Sequence, residues 1–208
     1  MRALPNLVTG LRLALALVVV LALAAAGGAA SWLTGPLAED ARFALARWAF
    51  AAFVLAGLSD FLDGWLARRL RATSVWGATL DPIADKALIA AAILGLLALG
   101  PNPAVIVPAA LILMREFAVS ALRETVAGKG LSLPVTRLAK WKTTLQLLAL
   151  GAELIVANWP AFGLPDEPAL VARAALGAHA LLWVATIVTL ITGAQYWATA
   201  RAKLSAGG

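Results

Sequence analysis

Residues 59–86 read SDFLDGWLARRLRATSVWGATLDPIADK, and this stretch decides how the whole chain is read. Four carboxylates, Asp60, Asp63, Asp81 and Asp85, sit within or at the ends of two segments otherwise apolar enough to cross a membrane. Ionisable groups at membrane depth are costly and mark function unless a partner neutralises them. On a helix, Asp60 and Asp63 are three apart and share a face, and Asp81 and Asp85, four apart, share another. Four like charges converging in low dielectric repel, so protons or cations must balance them. The stretch therefore points to a divalent-metal site at a membrane surface. Magnesium or manganese suits paired aspartates, with substrate phosphates completing the shell. Gly64 beside Asp63, and Gly77 one turn before Asp81, leave backbone open to a bulky ligand, and Arg68 is placed to meet a phosphate. The plainer alternative pairs the aspartates with Lys86, Arg68 and Arg69 as structural ion pairs.

Composition agrees with a membrane setting. Of 208 residues, 62% are hydrophobic and only 13% charged, about half the charged share of ordinary soluble domains, ~25%. Several apolar runs reach the ~20 residues a spanning helix needs. The expected class is all-α, a polytopic membrane protein of six transmembrane helices forming a single domain over 1–208. No cysteine is present, so disulfides and thiolate chemistry are excluded. The net charge of +6 would suggest nucleic acid in a soluble protein. Here the positives lie between spans, where topology and anionic lipid account for them, and no nucleic-acid partner is expected.

The spans are expected at about 6–26, 41–68, 79–99, 104–126, 142–156 and 170–198. The first resembles a signal peptide at its basic start, but its apolar run is too long and further spans follow, so it reads as uncleaved. Arg12 is expected to snorkel from its inner end, and Pro82 to fall in the first turn of span three, where a missing N–H costs nothing. Alternating the spans puts both termini, the 69–76 turn and the 127–141 connector on one side. That side collects Arg2, Arg12, Arg68, Arg69, Arg71, Arg123, Lys129, Arg137, Lys140, Lys142, Arg201 and Lys203, out of 17 basic residues. The positive-inside bias makes it cytoplasmic. Both termini and the aspartates, at the ends of spans two and three, then face the cytoplasm, and a bacterial inner membrane is the expected location.

The pattern Asp60-x-x-Asp63-Gly64-x-x-Ala67-Arg68, eight residues, Gly77-x-x-x-Asp81-x-x-x-Asp85 resembles the signature of the CDP-alcohol phosphatidyltransferases at every position. The resemblance implies a dimeric, six-helix membrane enzyme that moves a phosphatidyl group from a CDP-linked lipid to an alcohol and releases CMP. It implies that Asp60, Asp63, Asp81 and Asp85 ligate two divalent cations, Mg²⁺ or Mn²⁺, with Asp85 also the general base. Gly64, Ala67, Arg68 and Gly77 resemble the positions that hold the CDP moiety.

Outside the signature, Asn6-Leu7-Val8-Thr9-x-x-Arg12, Arg115-Glu116 with Ser120-Ala121-Leu122-Arg123-Glu124, and Lys140-x-Lys142-Thr143-Thr144-x-Gln146 resemble the branch of that family that makes phosphatidylglycerophosphate. CDP-diacylglycerol and glycerol 3-phosphate are then the implied substrates, and a homodimer in membrane lipid the implied form. Arg115, Arg123, Lys140 and Lys142 are the candidates for the acceptor's phosphate. Arg115 lies inside an apolar span beside Glu116, where a purely topological arginine would not be placed, although the pair also suffices to neutralise itself. His179 reads as a packed or hydrogen-bonded residue of span six. Other acceptors remain open within the same class: phosphatidylglycerol, inositol phosphate or serine. From a different class, a divalent-cation transporter expects a site near mid-bilayer between inverted repeats, and no repeat is visible here.

Overall fold

Long apolar runs rich in Leu and Ala favour helices whose backbone bonds close within the segment, the condition lipid imposes. The computed structural model describes the backbone of residues 4–70, 75–134 and 137–206, and the side chains of 8–59, 83–84, 86–134, 138–139 and 141–205. Among the described residues the regular structure is helical throughout: α1 (Leu4–Ala26), α2 (Ser31–Thr34), α3 (Glu39–Leu70), α4 (Val75–Leu99), α5 (Pro103–Gly128), α6 (Arg137–Ala157) and α7 (Pro168–Ala206), with a 3-10 turn at Trp159–Phe162. Among the described residues, four helical segments are long and apolar enough to cross a membrane, Val8–Ala26, Glu39–Ser59, Pro103–Gly128 and Pro168–Ser205, and Lys86–Leu99 is a shorter apolar piece. The chain is an integral membrane protein.

Helix ends follow local chemistry. The last carbonyl of α1, on Ala26, accepts a bond from Arg42 Nε at 2.6 Å, a cation at the negative end of a helix. α5 starts where Asn102 accepts from the Ala104 amide at 3.0 Å and Pro103 takes the first position, the arrangement that satisfies an otherwise unpaired donor. Gly163, left-handed at φ 63, closes the 3-10 turn.

α1 packs on α3 and α4, α4 on α6, and α7 on both α5 and α6. The contact of α1 with α4 depends on glycine: a Cβ on Gly27 would lie 2.1 Å from the Ala98 carbonyl oxygen, and one on Gly95 2.3 Å from Leu23 Cδ1. Small residues of this kind let membrane helices approach closely. One apolar core joins Val19 and Leu23 of α1, Phe53 and Ala56 of α3, Leu88 and Ile93 of α4, Ile112 of α5, Leu150 and Leu154 of α6, and Leu182 of α7. A second cluster, Val119, Val126, Leu133, Tyr196 and Ala200, ties the far end of α7 to the end of α5 and the connector beyond it.

Polarity runs inside out relative to a soluble bundle. Leu17, Leu21, Leu55 and Met114 are 57–70% exposed, while Thr9, Arg12, Arg115, Glu116, Lys142, Gln146 and Glu153 are buried. Lipid is as apolar as leucine, so burying leucine between helices gains little. Polar groups must instead find partners inside the bundle.

The six ranges expected to span fall on the helices α1, α3, α4, α5, α6 and α7, with differences at the ends; α1, α3, α5 and α7 carry the four segments long and apolar enough to cross. α6 begins five residues earlier than the apolar run, because Arg137 to Lys142 are good helix formers. α7 continues eight residues past 198 for the same reason. Pro82 is the eighth residue of α4 rather than part of its first turn, so the carbonyl of Ala78 has lost its usual helical donor. Arg12 does not snorkel: it is 1% exposed, buried with Thr9.

Candidate active site

The end of α3 and the start of α4 are joined by residues 71–74, so the signature falls on two adjacent helix ends. Asp60, Asp63, Gly64, Ala67 and Arg68 lie on the last third of α3, and Gly77, Asp81 and Asp85 on the first half of α4. The helical backbone preserves the spacings of three and four that put each aspartate pair on one face. The side chains of these eight residues lie outside the described residues. Ala84, beside Asp85, is buried where α4 meets the bundle. Among the described residues there is no group of three or more His, Asp or Glu side chains that would hold a metal.

At the opposite end of the bundle, Leu99, Gly100 and Asn102 of the α4–α5 connection meet Val156 and Ala157 of α6 around a cavity of about 230 Å³. Glu153 and His179 also line this cavity, with His179 Nδ1 2.8 Å from Glu153 Oε1. His179 is thus hydrogen-bonded within the bundle. Glu153 is eleven residues from Lys142 along α6, about 16 Å at 1.5 Å per residue.

Between these ends α5, α6 and α7 enclose a polar network. Arg115, Glu116, Lys142 and Gln146 are only 7, 8, 6 and 0% exposed. Glu116 Oε1 accepts from Arg115 Nη1 at 3.2 Å, from Gln146 Nε2 at 3.2 Å and from Lys142 Nζ. Gln146 Nε2 also donates to Thr189 Oγ1 at 2.8 Å, and Arg115 Nη2 to Thr192 Oγ1 at 2.9 Å. Thr192 in turn donates to the Thr189 carbonyl at 2.8 Å. The Arg115 guanidinium lies 5.8 Å from the centre of the Tyr196 ring, within cation–π range.

Among the described residues this buried network brings two cations, Arg115 and Lys142, to one carboxylate, Glu116. A guanidinium has five N–H donors, of which the hydrogen bonds to Glu116 and Thr192 use two, leaving three. Arg115 Nε and Gln146 Oε1 are buried and have no hydrogen-bond partner among the described residues. A buried donor and a buried acceptor left unpaired in one network cost free energy, a state suited to receiving an anion that brings hydroxyls with it.

Of the four candidates for the acceptor phosphate, Arg115 and Lys142 come together through Glu116. Arg123 does not join them: it is exposed, two turns further along α5. Lys140 lies in the first turn of α6, and its side chain is outside the described residues. Thr189, Thr192, Gly193 and Tyr196 of α7 were not among the residues singled out from the sequence. Their signal is a polar stripe at 186, 189, 192 and 196 on an otherwise apolar helix, a spacing of three and four that lines one face.

Comparison with known proteins follows the same lines. Residues 2–191 match the CDP-alcohol phosphatidyltransferase family. The chain is 39% identical over 145 residues to the CDP-diacylglycerol–glycerol-3-phosphate 3-phosphatidyltransferase of Rickettsia felis, covering 70% of this chain and 74% of that protein. A Bacillus subtilis protein of the same name is 37% identical over 145 residues, 70% of this chain and 69% of the relative. One from Cereibacter sphaeroides is 50% identical over 103 residues; there the match spans about half of each protein, 49% of this chain and 47% of the relative. With the family matched over nearly its whole length and the signature on two adjoining helix ends, the chain belongs to the CDP-alcohol phosphatidyltransferases.

Proposed function

We propose that this chain transfers the phosphatidyl group of CDP-diacylglycerol to sn-glycerol 3-phosphate, giving phosphatidylglycerophosphate and CMP. The observation that carries the acceptor is the buried Arg115 guanidinium, whose Nε has no hydrogen-bond partner among the described residues and which keeps three N–H groups beyond its bonds to Glu116 and Thr192. A phosphorylated alcohol supplies acceptor oxygens and negative charge for those guanidinium N–H groups. Relatives whose names specify glycerol 3-phosphate support the same choice.

In this reading Asp60, Asp63, Asp81 and Asp85 hold two divalent cations, Mg²⁺ or Mn²⁺. The donor set fits hard cations: carboxylate oxygens in two pairs at helical spacing on adjoining helices. When bound, the metals supply positive charge against the pyrophosphate of the CDP-lipid. Gly64, Ala67, Arg68 and Gly77 receive the CDP moiety, with the glycines giving room at the backbone and Arg68 a cation for phosphate. Arg115 and Lys142 orient the acceptor by its phosphate, and Arg123 and Lys140 add positive charge outside the network. Asp85 takes the proton from the glycerol 1-hydroxyl. That oxygen then forms a bond to the phosphorus attached to diacylglycerol, the bond from this phosphorus to the CMP oxygen breaks, and CMP leaves. A single displacement needs no covalent nucleophile, and neither Ser59 nor Ser74, the serines of this stretch, is assigned that role.

The proposal extends to topology. α1, α3, α4, α5, α6 and α7 are taken as six spans of a single domain over 1–208, with both termini and the aspartates facing the cytoplasm across a bacterial inner membrane. A homodimer is the proposed assembly.

The deciding experiment supplies purified protein with CDP-diacylglycerol, Mg²⁺ or Mn²⁺, and a mixture of glycerol 3-phosphate, phosphatidylglycerol, inositol phosphate and serine. Mass spectrometry is expected to find phosphatidylglycerophosphate and stoichiometric CMP, both lost on chelation. A product built on another alcohol overturns the acceptor assignment, and CMP release that survives chelation overturns the metal assignment.

A further inference from the structure

We infer that Thr192 and Gly193 of α7 are positioning residues for the acceptor site, fixing the Arg115 guanidinium in the orientation in which it receives the acceptor's phosphate. The inference rests on the proposed role of Arg115 and adds a helix that carries none of the signature. Arg115 reaches across from α5 in the middle of the bundle, and a free arginine stem has many rotamers to lose. Three contacts from one face of α7 restrict it. Thr192 Oγ1 accepts from Nη2 at 2.9 Å. The Tyr196 ring stands 5.8 Å from the guanidinium carbon. Gly193 leaves the space the stem occupies, since a Cβ there would lie 3.0 Å from Arg115 Cγ and 3.2 Å from Nε.

The hydroxyl of Thr192 is itself held in one direction. Its own proton goes to the Thr189 carbonyl at 2.8 Å, so its lone pairs turn to the guanidinium. Thr189 extends the same arrangement to Gln146, accepting from Nε2 at 2.8 Å. With that nitrogen committed to Thr189 and Glu116, the Gln146 carbonyl oxygen is left facing inward without a donor. One polar stripe on α7 therefore settles the orientation of both orphan groups, a donor on Arg115 and an acceptor on Gln146. Glu116 alone would not do this, because a single bond to Nη1 leaves the guanidinium free to pivot about that contact.

Steady-state kinetics of the purified full chain, with CDP-diacylglycerol and glycerol 3-phosphate varied separately, test the assignment. Arg115→Ala first establishes the underlying reading: an unchanged KM for glycerol 3-phosphate in that variant means Arg115 does not bind the acceptor, and the proposed role fails before the positioning question arises. Given a raised KM there, Thr192→Val is expected to raise the KM for glycerol 3-phosphate about ten-fold or more, the size of a hydrogen bond to a charged group. The KM for CDP-diacylglycerol stays within about two-fold. Thr192→Ser restores the hydroxyl and most of the affinity. Gly193→Ala acts in the same direction by pushing the stem. Thr186→Val is the control for removing a buried α7 hydroxyl, since Thr186 bonds to the Leu182 carbonyl and, at 3.4 Å, to that of Pro108; both KM values remain near those of the unaltered protein. Positioning by α7 is overturned if Thr192→Val changes both KM values equally, changes neither, or is not rescued by serine.

Discussion

Replacing Glu116 by glutamine keeps the size of the side chain and removes the one negative charge of the buried network. Its Oε1 is 3.2 Å from Arg115 Nη1, and both side chains are under 10% exposed. At that separation and an effective dielectric of ~20, a unit pair attracts by about 5 kcal/mol. Lys142 contributes a second such pair. The net loss is smaller than the Coulomb sum, because two cations are desolvated in either case. Breaking a buried pair from one side costs about 3–5 kcal/mol, and here the two cations left behind also repel each other. For a chain of this size each kcal/mol lowers the melting temperature by about 2–4 °C, so Glu116→Gln is expected to melt roughly 6–20 °C lower in detergent. Thermal unfolding followed by tryptophan fluorescence reads this directly. The network is buried, so added salt should restore little of the loss. Glycerol 3-phosphate should restore more, its phosphate replacing the missing carboxylate between the cations and binding only the folded chain. A variant that melts within about 2 °C of the parent would refute the idea that Glu116 neutralises buried charge.

Gly27→Ala is expected to lower thermal stability by about 1–3 kcal/mol, because its methyl would meet the Ala98 carbonyl oxygen at 2.1 Å; an unshifted melting curve would mean that α1 and α4 do not touch there. His179→Ala removes the partner 2.8 Å from the buried Glu153 carboxylate and should cost about 1–3 kcal/mol, with both KM values unchanged because the pair lies at the far end of α6. A changed acceptor KM in that variant would show that the two ends communicate. Asp85→Asn is expected to abolish CMP release while CDP-diacylglycerol binding persists by calorimetry, and near-normal turnover would remove Asp85 from the role of base.

The six long helices were legible because each must bury its backbone bonds within itself, which forces an apolar run that composition reveals. Their ends were less so. At Arg137 and beyond Ala198 the hydropathy falls although the hydrogen-bond ladder continues, since helix formers need not be apolar. Arg12 shows a different limit. Its position near the start of an apolar run looks the same whether the side chain climbs to water or turns into the bundle, and only packing distinguishes the two. Within the site, Arg115 and Glu116 stood out because charge inside a span is rare, and Lys142 through the basic connector and the resemblance that runs over it. Thr189 and Thr192 did not. A threonine in a membrane helix usually satisfies itself on its own backbone, as Thr186 does with the Leu182 carbonyl, and nothing in the chain order says which threonine faces an arginine 77 residues away.

At 39 residues α7 is about 58 Å long, nearly twice the ~30 Å of a hydrocarbon core. Its surplus is tied down beyond the network, where Leu133 packs with Tyr196 and Ala200 and Lys203 Nζ donates to the Ser132 carbonyl at 2.7 Å. A rod of this length meets a thinner or thicker bilayer by changing its tilt. The same rod carries Thr189 and Thr192 at the centre of the bundle, so tilt becomes rotation of the groups against Arg115 and Gln146. If the network is the acceptor site proposed above, bilayer thickness acts on it through α7, and turnover in vesicles of graded acyl length should pass through an optimum.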